Sequence, residues 1–125
     1  MDLAPRRFAD TVVLTLPTRI DQSNVDAFGP ALAPYLERCG AQGDRLVLDL
    51  SRLEYVSTAA LRIFMLAVKQ VKPHGGTIVL SGLTPLIQEI FEIVRFTNLF
   101  PTTPTVRDAV ARMSAAALAE LDRAV

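Results

Sequence analysis

Ser57 and Thr58 are adjacent hydroxyl residues standing just ahead of an apolar-periodic segment that opens at Ala59. A hydroxyl in that place can do one of two things. It can cap the helix by accepting a backbone N–H of the first turn, or it can carry a phosphate. Ser57 suits the cap position, although the residue three places on is Ala60, so no Glu or Gln completes a capping box. Thr58 follows the cap and falls in the exposed first turn, where a β-branched residue gains little. A phosphate there would add roughly −1.5 to −2 charges. The positive end of the helix dipole tolerates that charge, and Arg62, one turn onward, is spaced to pair with it. The modified domain would stay folded while its surface changes sign, and a partner docked by apolar contact would meet the dianion and leave.

The helix behind this pair has two apolar sides. Leu61, Phe64, Met65, Val68 and Val71, with Lys72, share one side and read as the core stripe. Ala59, Ile63, Leu66 and Ala67 fall on the other, beside Thr58 and interrupted by Arg62, Lys69 and Gln70. That second stripe is either buried by a neighbouring helix or is a docking patch that begins at the hydroxyl pair.

Enzyme chemistry finds little support. His74 is the one histidine and sits in a Pro/Gly turn. No Gly-x-Gly-x-x-Gly or Gly-x-x-x-x-Gly-Lys loop is present, and Gly75-Gly76 precedes a strand where a phosphate loop would precede a helix. No Gly-x-Ser-x-Gly elbow surrounds Ser57. Asp21, Asp49 and Glu54 could converge at one end of a sheet, but carboxylates beside strand ends usually form caps and turns. Cys39, the single cysteine, has no partner for an internal disulfide and no ligand spacing for a metal. The reading is a binding module, not an enzyme, with no cofactor.

Thirteen basic residues balance thirteen acidic ones, which argues against nucleic acid as a partner. The longest apolar runs fall far short of the about 20 residues of a membrane span, and Met1 to Arg7 lacks the apolar stretch of a signal peptide. No membrane insertion and a cytoplasmic location are expected.

One domain fits the 125 residues. Strands are expected over Thr11 to Leu16, Arg45 to Leu50 and Thr77 to Ser81, with a short edge strand within Leu3 to Phe8 and an extended piece at Leu99-Phe100. Asp21-Gln22-Ser23-Asn24 supplies cap residues for a helix from Val25 to Cys39, which Pro34 should distort. Further helices are expected from Ser57 to Lys72, from Pro85 to Arg95, and from Thr105 toward Ala124 with an interruption. The order predicts an α/β fold: a mixed, mostly parallel sheet of about four to five strands with about four helices packed against it.

The segment Asp49-Leu50-Ser51-Arg52-Leu53-Glu54-Tyr55-Val56-Ser57-Thr58-Ala59-Ala60-Leu61-Arg62 resembles the signature of STAS domains, the anti-sigma factor antagonist family. Thr18-Arg19-Ile20-Asp21 is similar to the family's Gly-Arg-Leu-Asp turn, and Lys72 to Leu80 to its Gly-Gly lead-in to a strand. Leu99-Phe100-Pro101 and Thr105 to Ala109 resemble its ending. The resemblance covers about Thr11 to Met113. It implies a STAS-like domain over 1–113, followed by an Ala-rich helical extension over 114–125 whose packing the sequence leaves open.

The resemblance further implies a module that captures an anti-sigma factor with serine-kinase activity when unphosphorylated. Phosphorylation at the position of Thr58, with Ser57 as alternative acceptor, releases it, and a PP2C-type phosphatase resets it. Asp21 falls on the family's turn aspartate, near the acceptor and the kinase nucleotide. The expected partner surface comprises Asp21, Asn24, Ser57, Thr58, Ala59, Arg62, Ile63 and Leu66, and a weak homodimer is left open. Three positions depart from the pattern. Ser57 replaces an aspartate, Thr18 a glycine, and Ala60 a glycine where an added methyl would meet an approaching partner. The competing reading is a constitutive, unphosphorylated adaptor subunit of a transporter or lipid-transport assembly.

Overall fold

A computed structural model describes residues 1–124. Strand β1 (Arg6–Phe8) folds back antiparallel on β2 (Thr11–Thr15). Helix α1 (Val25–Arg38), β4 (Arg45–Asp49), α2 (Thr58–Val71), β6 (Ile78–Ser81), α3 (Pro85–Ile93) and β7 (Thr102–Thr103) then alternate. Between them, the two-residue strands β3 (Arg19–Ile20) and β5 (Tyr55–Val56) form a separate small parallel ladder. Helices α4 (Val106–Met113) and α5 (Ala115–Arg123) close the chain. The main sheet runs β1-β2-β4-β6-β7, parallel throughout except at β1.

Alternation along the strands divides the core into two layers. Val12, Leu14, Leu46, Leu48, Ile78 and Leu80 face α1, α2 and α3, while Val13, Val47 and Val79 face α4 and α5. With both faces covered, the central strands must be apolar on both sides, which explains the unbroken Leu46-Val47-Leu48 run. Phe64 of α2 is the hub of the larger layer. Its ring centroid lies 5.5 Å from that of Phe28, 5.4 Å from Phe91 and 6.3 Å from Phe100. Gly82, at φ +69°, turns the chain out of β6 where a Cβ would come within 3.1 Å of the Ser51 Cβ.

Several elements differ from the sequence expectation for identifiable reasons. The edge strand starts at Arg6, so Pro5 lies outside the ladder and costs it no donor. Helix α1 runs unbroken through Pro30 and Pro34, because both face solvent and the carbonyls they leave without donors are open to water. The extended piece is not Leu99-Phe100. Phe96–Asn98 forms a 3-10 turn, Phe100 is buried against Phe64 and Phe96, and the strand is Thr102–Thr103. The last helix breaks at Ser114, whose Oγ caps α5 by accepting from the Ala117 N–H at 3.1 Å. That helix packs on the domain: Ala117 is fully buried in the second layer, and Arg107 of α4 holds Asp122 through two hydrogen bonds of 3.1 and 3.0 Å.

Candidate functional site

The start of α2 is fixed from two sides. The β3–β5 ladder sets Arg19 opposite Tyr55 and Ile20 opposite Val56, and the Ser57 N–H then donates to the Ile20 carbonyl at 2.9 Å. Ser57 is extended at φ −77°, ψ 163°, and its Oγ accepts from the Ala60 N–H at 3.2 Å. Thr58 is the first helical residue and is exposed. The N–H groups of Thr58 and Ala59 have no acceptor within the helix, so they and the helix dipole leave partial positive charge beside the Thr58 hydroxyl.

Across from it, the turn after β3 contributes a carboxylate. Ser23 donates to Asp21 Oδ1 from its hydroxyl at 2.5 Å and from its amide at 2.9 Å, and Arg19 Nε reaches Asp21 Oδ2 at 3.2 Å. Those donors, Ser23 foremost, hold the Asp21 carboxyl below the usual carboxylate range, so it is ionised at neutral pH. The Arg19 guanidinium also lies 4.5 Å from the centre of the Tyr55 ring. Arg19, Asp21, Ser23, Tyr55, Ser57 and Thr58 thus border one open cleft of about 620 Å³.

The residues expected at a partner surface do not share one environment. Thr58, Ala59, Arg62 and Leu66 are exposed on the outer side of α2, Leu66 at 53%. Ile63 is half-buried toward α1, where a Cβ on Gly29 would stand 3.9 Å from the Ile63 Cδ1. The second apolar stripe is therefore partly covered by a neighbouring helix, and Ala67 leaves it altogether: the buried stripe is Ala60, Phe64, Ala67 and Val71. Lys72, placed on the core side by the sequence, is exposed, and Leu61, Met65 and Val68 are half-buried at the stripe's edge. Ala60, fully buried, points its methyl at the core and away from any approaching partner.

Asn24 occupies the cap position of α1 but makes no capping hydrogen bond. Its Oδ1 accepts from the Asp21 N–H at 2.9 Å and its Nδ2 donates to the Arg19 carbonyl at 2.8 Å. Asn24 holds the turn that presents Asp21. Asp49 is occupied elsewhere, accepting from the Ser51 N–H at 3.0 Å, and Asp49 and Glu54 do not line the cleft. Arg19, Gln22, Ser23 and Tyr55 line the cleft although the sequence reading assigned none of them to the site. Arg19 and Tyr55 stand within the segments that resemble the family, but the register that pairs them belongs to two-residue strands, too short to show a period.

A family model described as "Mlab, STAS domain" matches residues 3–101. A Bordetella bronchiseptica protein bearing the name of an anti-sigma factor antagonist, BtrV, is 32% identical over 117 residues, covering 93% of this chain and 97% of that protein. Among solved structures, an anti-sigma-factor antagonist (STAS) domain protein from Planctomyces limnophilus superposes with a TM-score of 0.80 at 19% identity, covering 90% of this chain and 98% of that one. Bacillus SpoIIAA in its phosphorylated form superposes at 0.67 with 14% identity, covering 88% and 97%. Sequence match over most of the chain, and the same fold in these structures, converge on one conclusion: the chain belongs to the STAS domain family of anti-sigma factor antagonists.

Proposed function

We propose that this domain captures an anti-sigma factor with serine-kinase activity in its unphosphorylated state and is released by phosphorylation at Thr58. The observation that carries the reading is the exposed Thr58 hydroxyl at the first position of α2, in one cleft with an ionised Asp21. A bound kinase would meet Asp21, Thr58, Ala59, Arg62 and Leu66, with Asn24 and Ser57 holding the turn and the helix start in place. Ser57 is the poorer acceptor, because it is half-buried and its Oγ is engaged by the Ala60 N–H, whereas Thr58 is exposed with no such contact. The cycle closes with a PP2C-type phosphatase in the cytoplasm.

The test is capture from the native host with wild-type protein, Thr58→Glu and Ser57→Ala as baits. Recovery of an ATP-binding kinase by wild type and Ser57→Ala, and not by Thr58→Glu, is the expected result. Equal recovery of transport-assembly subunits by all three baits would overturn the switch and leave a constitutive adaptor.

A further inference from the structure

Two further surfaces, one at the far end of α2 and one on the outer face of α3, carry opposite charges beside accessible apolar residues. The C-terminal half of α2, the start of β6 and the Phe96–Asn98 turn enclose an apolar groove of about 570 Å³, floored by Met65, Val68, Leu99 and Pro101. Lys69, in the last turn of α2, and Lys72, the residue that caps its C-terminus, line it as well. On α3, Leu86 (55% exposed) and Ile93 (73%) form an apolar ridge, with Glu89 and Glu92, three residues apart, exposed alongside. Among the described residues, none of these four charged side chains takes part in an ion pair.

We propose that the protein self-associates as a two-fold dimer in which the Leu86–Ile93 ridge of each copy seats in the α2–β6 groove of the other. Ridge and groove are neighbours in the chain, separated by Val94 to Thr97, and a two-fold pairing makes the two contacts equivalent. The pairing sets Lys69 and Lys72 against Glu89 and Glu92 of the other copy at matching intervals, which fixes register and orientation. Exposed Ile93 and Leu99 leave water together. The surface is independent of the antagonist reading: Lys69 lies 11 residues from Thr58 along α2, about 16 Å, so the phosphorylation end of the helix is left free.

Charge-swapped variants of the full chain, followed by sedimentation equilibrium across a concentration series, test this. Wild type should rise from monomer mass toward twice that mass. Lys69→Glu/Lys72→Glu and Glu89→Lys/Glu92→Lys should each remain monomeric, since groove and ridge of the same variant then repel. An equimolar mixture of the two variants should regain the dimer, because each groove again meets a ridge of opposite charge; that gain cannot come from misfolded protein. Ile93→Asp should hold the chain at monomer mass. Wild type that stays monomeric up to about 1 mM, corresponding to association weaker than about −4 kcal/mol, would overturn the proposal. So would charge variants that dimerise alone, or a mixture that stays monomeric.

Discussion

Placing a negative charge on Thr58 should change what the domain binds without weakening its fold. In Thr58→Glu the carboxylate sits in the first turn of α2, where the dipole favours it by about 0.3–1 kcal/mol at an exposed site. Arg62, four residues on, is exposed and adds about 0.2–0.5 kcal/mol as an i,i+4 pair. The Thr58 hydroxyl has no hydrogen-bond partner among the described residues, so nothing of comparable size is lost. The net expectation is a gain of about 0.5–1.5 kcal/mol. Ser57→Ala, one residue earlier, should instead cost about 1 kcal/mol, because the Ala60 N–H loses its 3.2 Å partner. Urea denaturation followed by far-ultraviolet circular dichroism separates the two, with the midpoint moving in opposite directions at constant slope. If Thr58→Glu lowers stability by more than about 1 kcal/mol, charge at this position acts by melting the helix start, and the argument for a switch on an intact fold is refuted.

Truncating the aromatic hub by Phe64→Ala should cost about 3–5 kcal/mol and broaden the thermal transition measured by calorimetry, since Phe28, Phe91, Phe96 and Phe100 all lose a facing ring. Arg7 holds the Asp44 carboxyl below the usual carboxylate range through hydrogen bonds of 2.9 and 2.7 Å, and Ser114 and Arg45 do the same for Asp10. Carboxylates depressed in the folded state contribute stability that is present above the unfolded value of about 3.9 and is lost as pH falls through the folded values. Stability should therefore decline below about pH 4, and Asp44→Asn should flatten that decline in acid denaturation curves. Asn24→Ala should weaken capture of the proposed kinase partner by loosening the Asp21 turn. Titration calorimetry on Asn24→Ala and Asp21→Asn together should show a smaller loss than the sum of the two.

The α2 element and its cap are legible in the sequence because a hydroxyl, an apolar period and a Pro/Gly stop all agree about it. The composition of its buried stripe is less so. Ala60 and Ala67 carry weak hydropathy, yet they are the residues that let the helix approach the sheet closely around Phe64. Larger neighbours such as Met65 and Val68 outrank them on any scale but sit at the stripe's edge, half-buried. The same inversion occurs near the end of the chain. Apolar Leu99-Phe100 looks like the strand, but Phe100 is buried by aromatic packing, while polar Thr102–Thr103 makes the backbone pairing. Hydropathy reports burial, and burial coincides with strand only when an element spans several residues. The β3–β5 ladder, two residues on each side, lies below that length, which is why Arg19 and Tyr55 escape a reading by pattern.

That small ladder is also what couples the two halves of the site. Asp21 and Thr58 come from segments 37 positions apart, and neither is placed by the main sheet. Ile20 supplies the carbonyl that receives the Ser57 N–H, while Asn24 ties Arg19 to Asp21 from the other side. The cleft is therefore built on short backbone segments pinned by hydrogen bonds, with the Thr58 hydroxyl as the side-chain group left free at its rim. A modification at such a point needs no conformational change to be felt. It alters the charge of a surface whose shape is held by bonds the phosphate does not touch, so specificity in the release step would reside in electrostatics and desolvation at the contact.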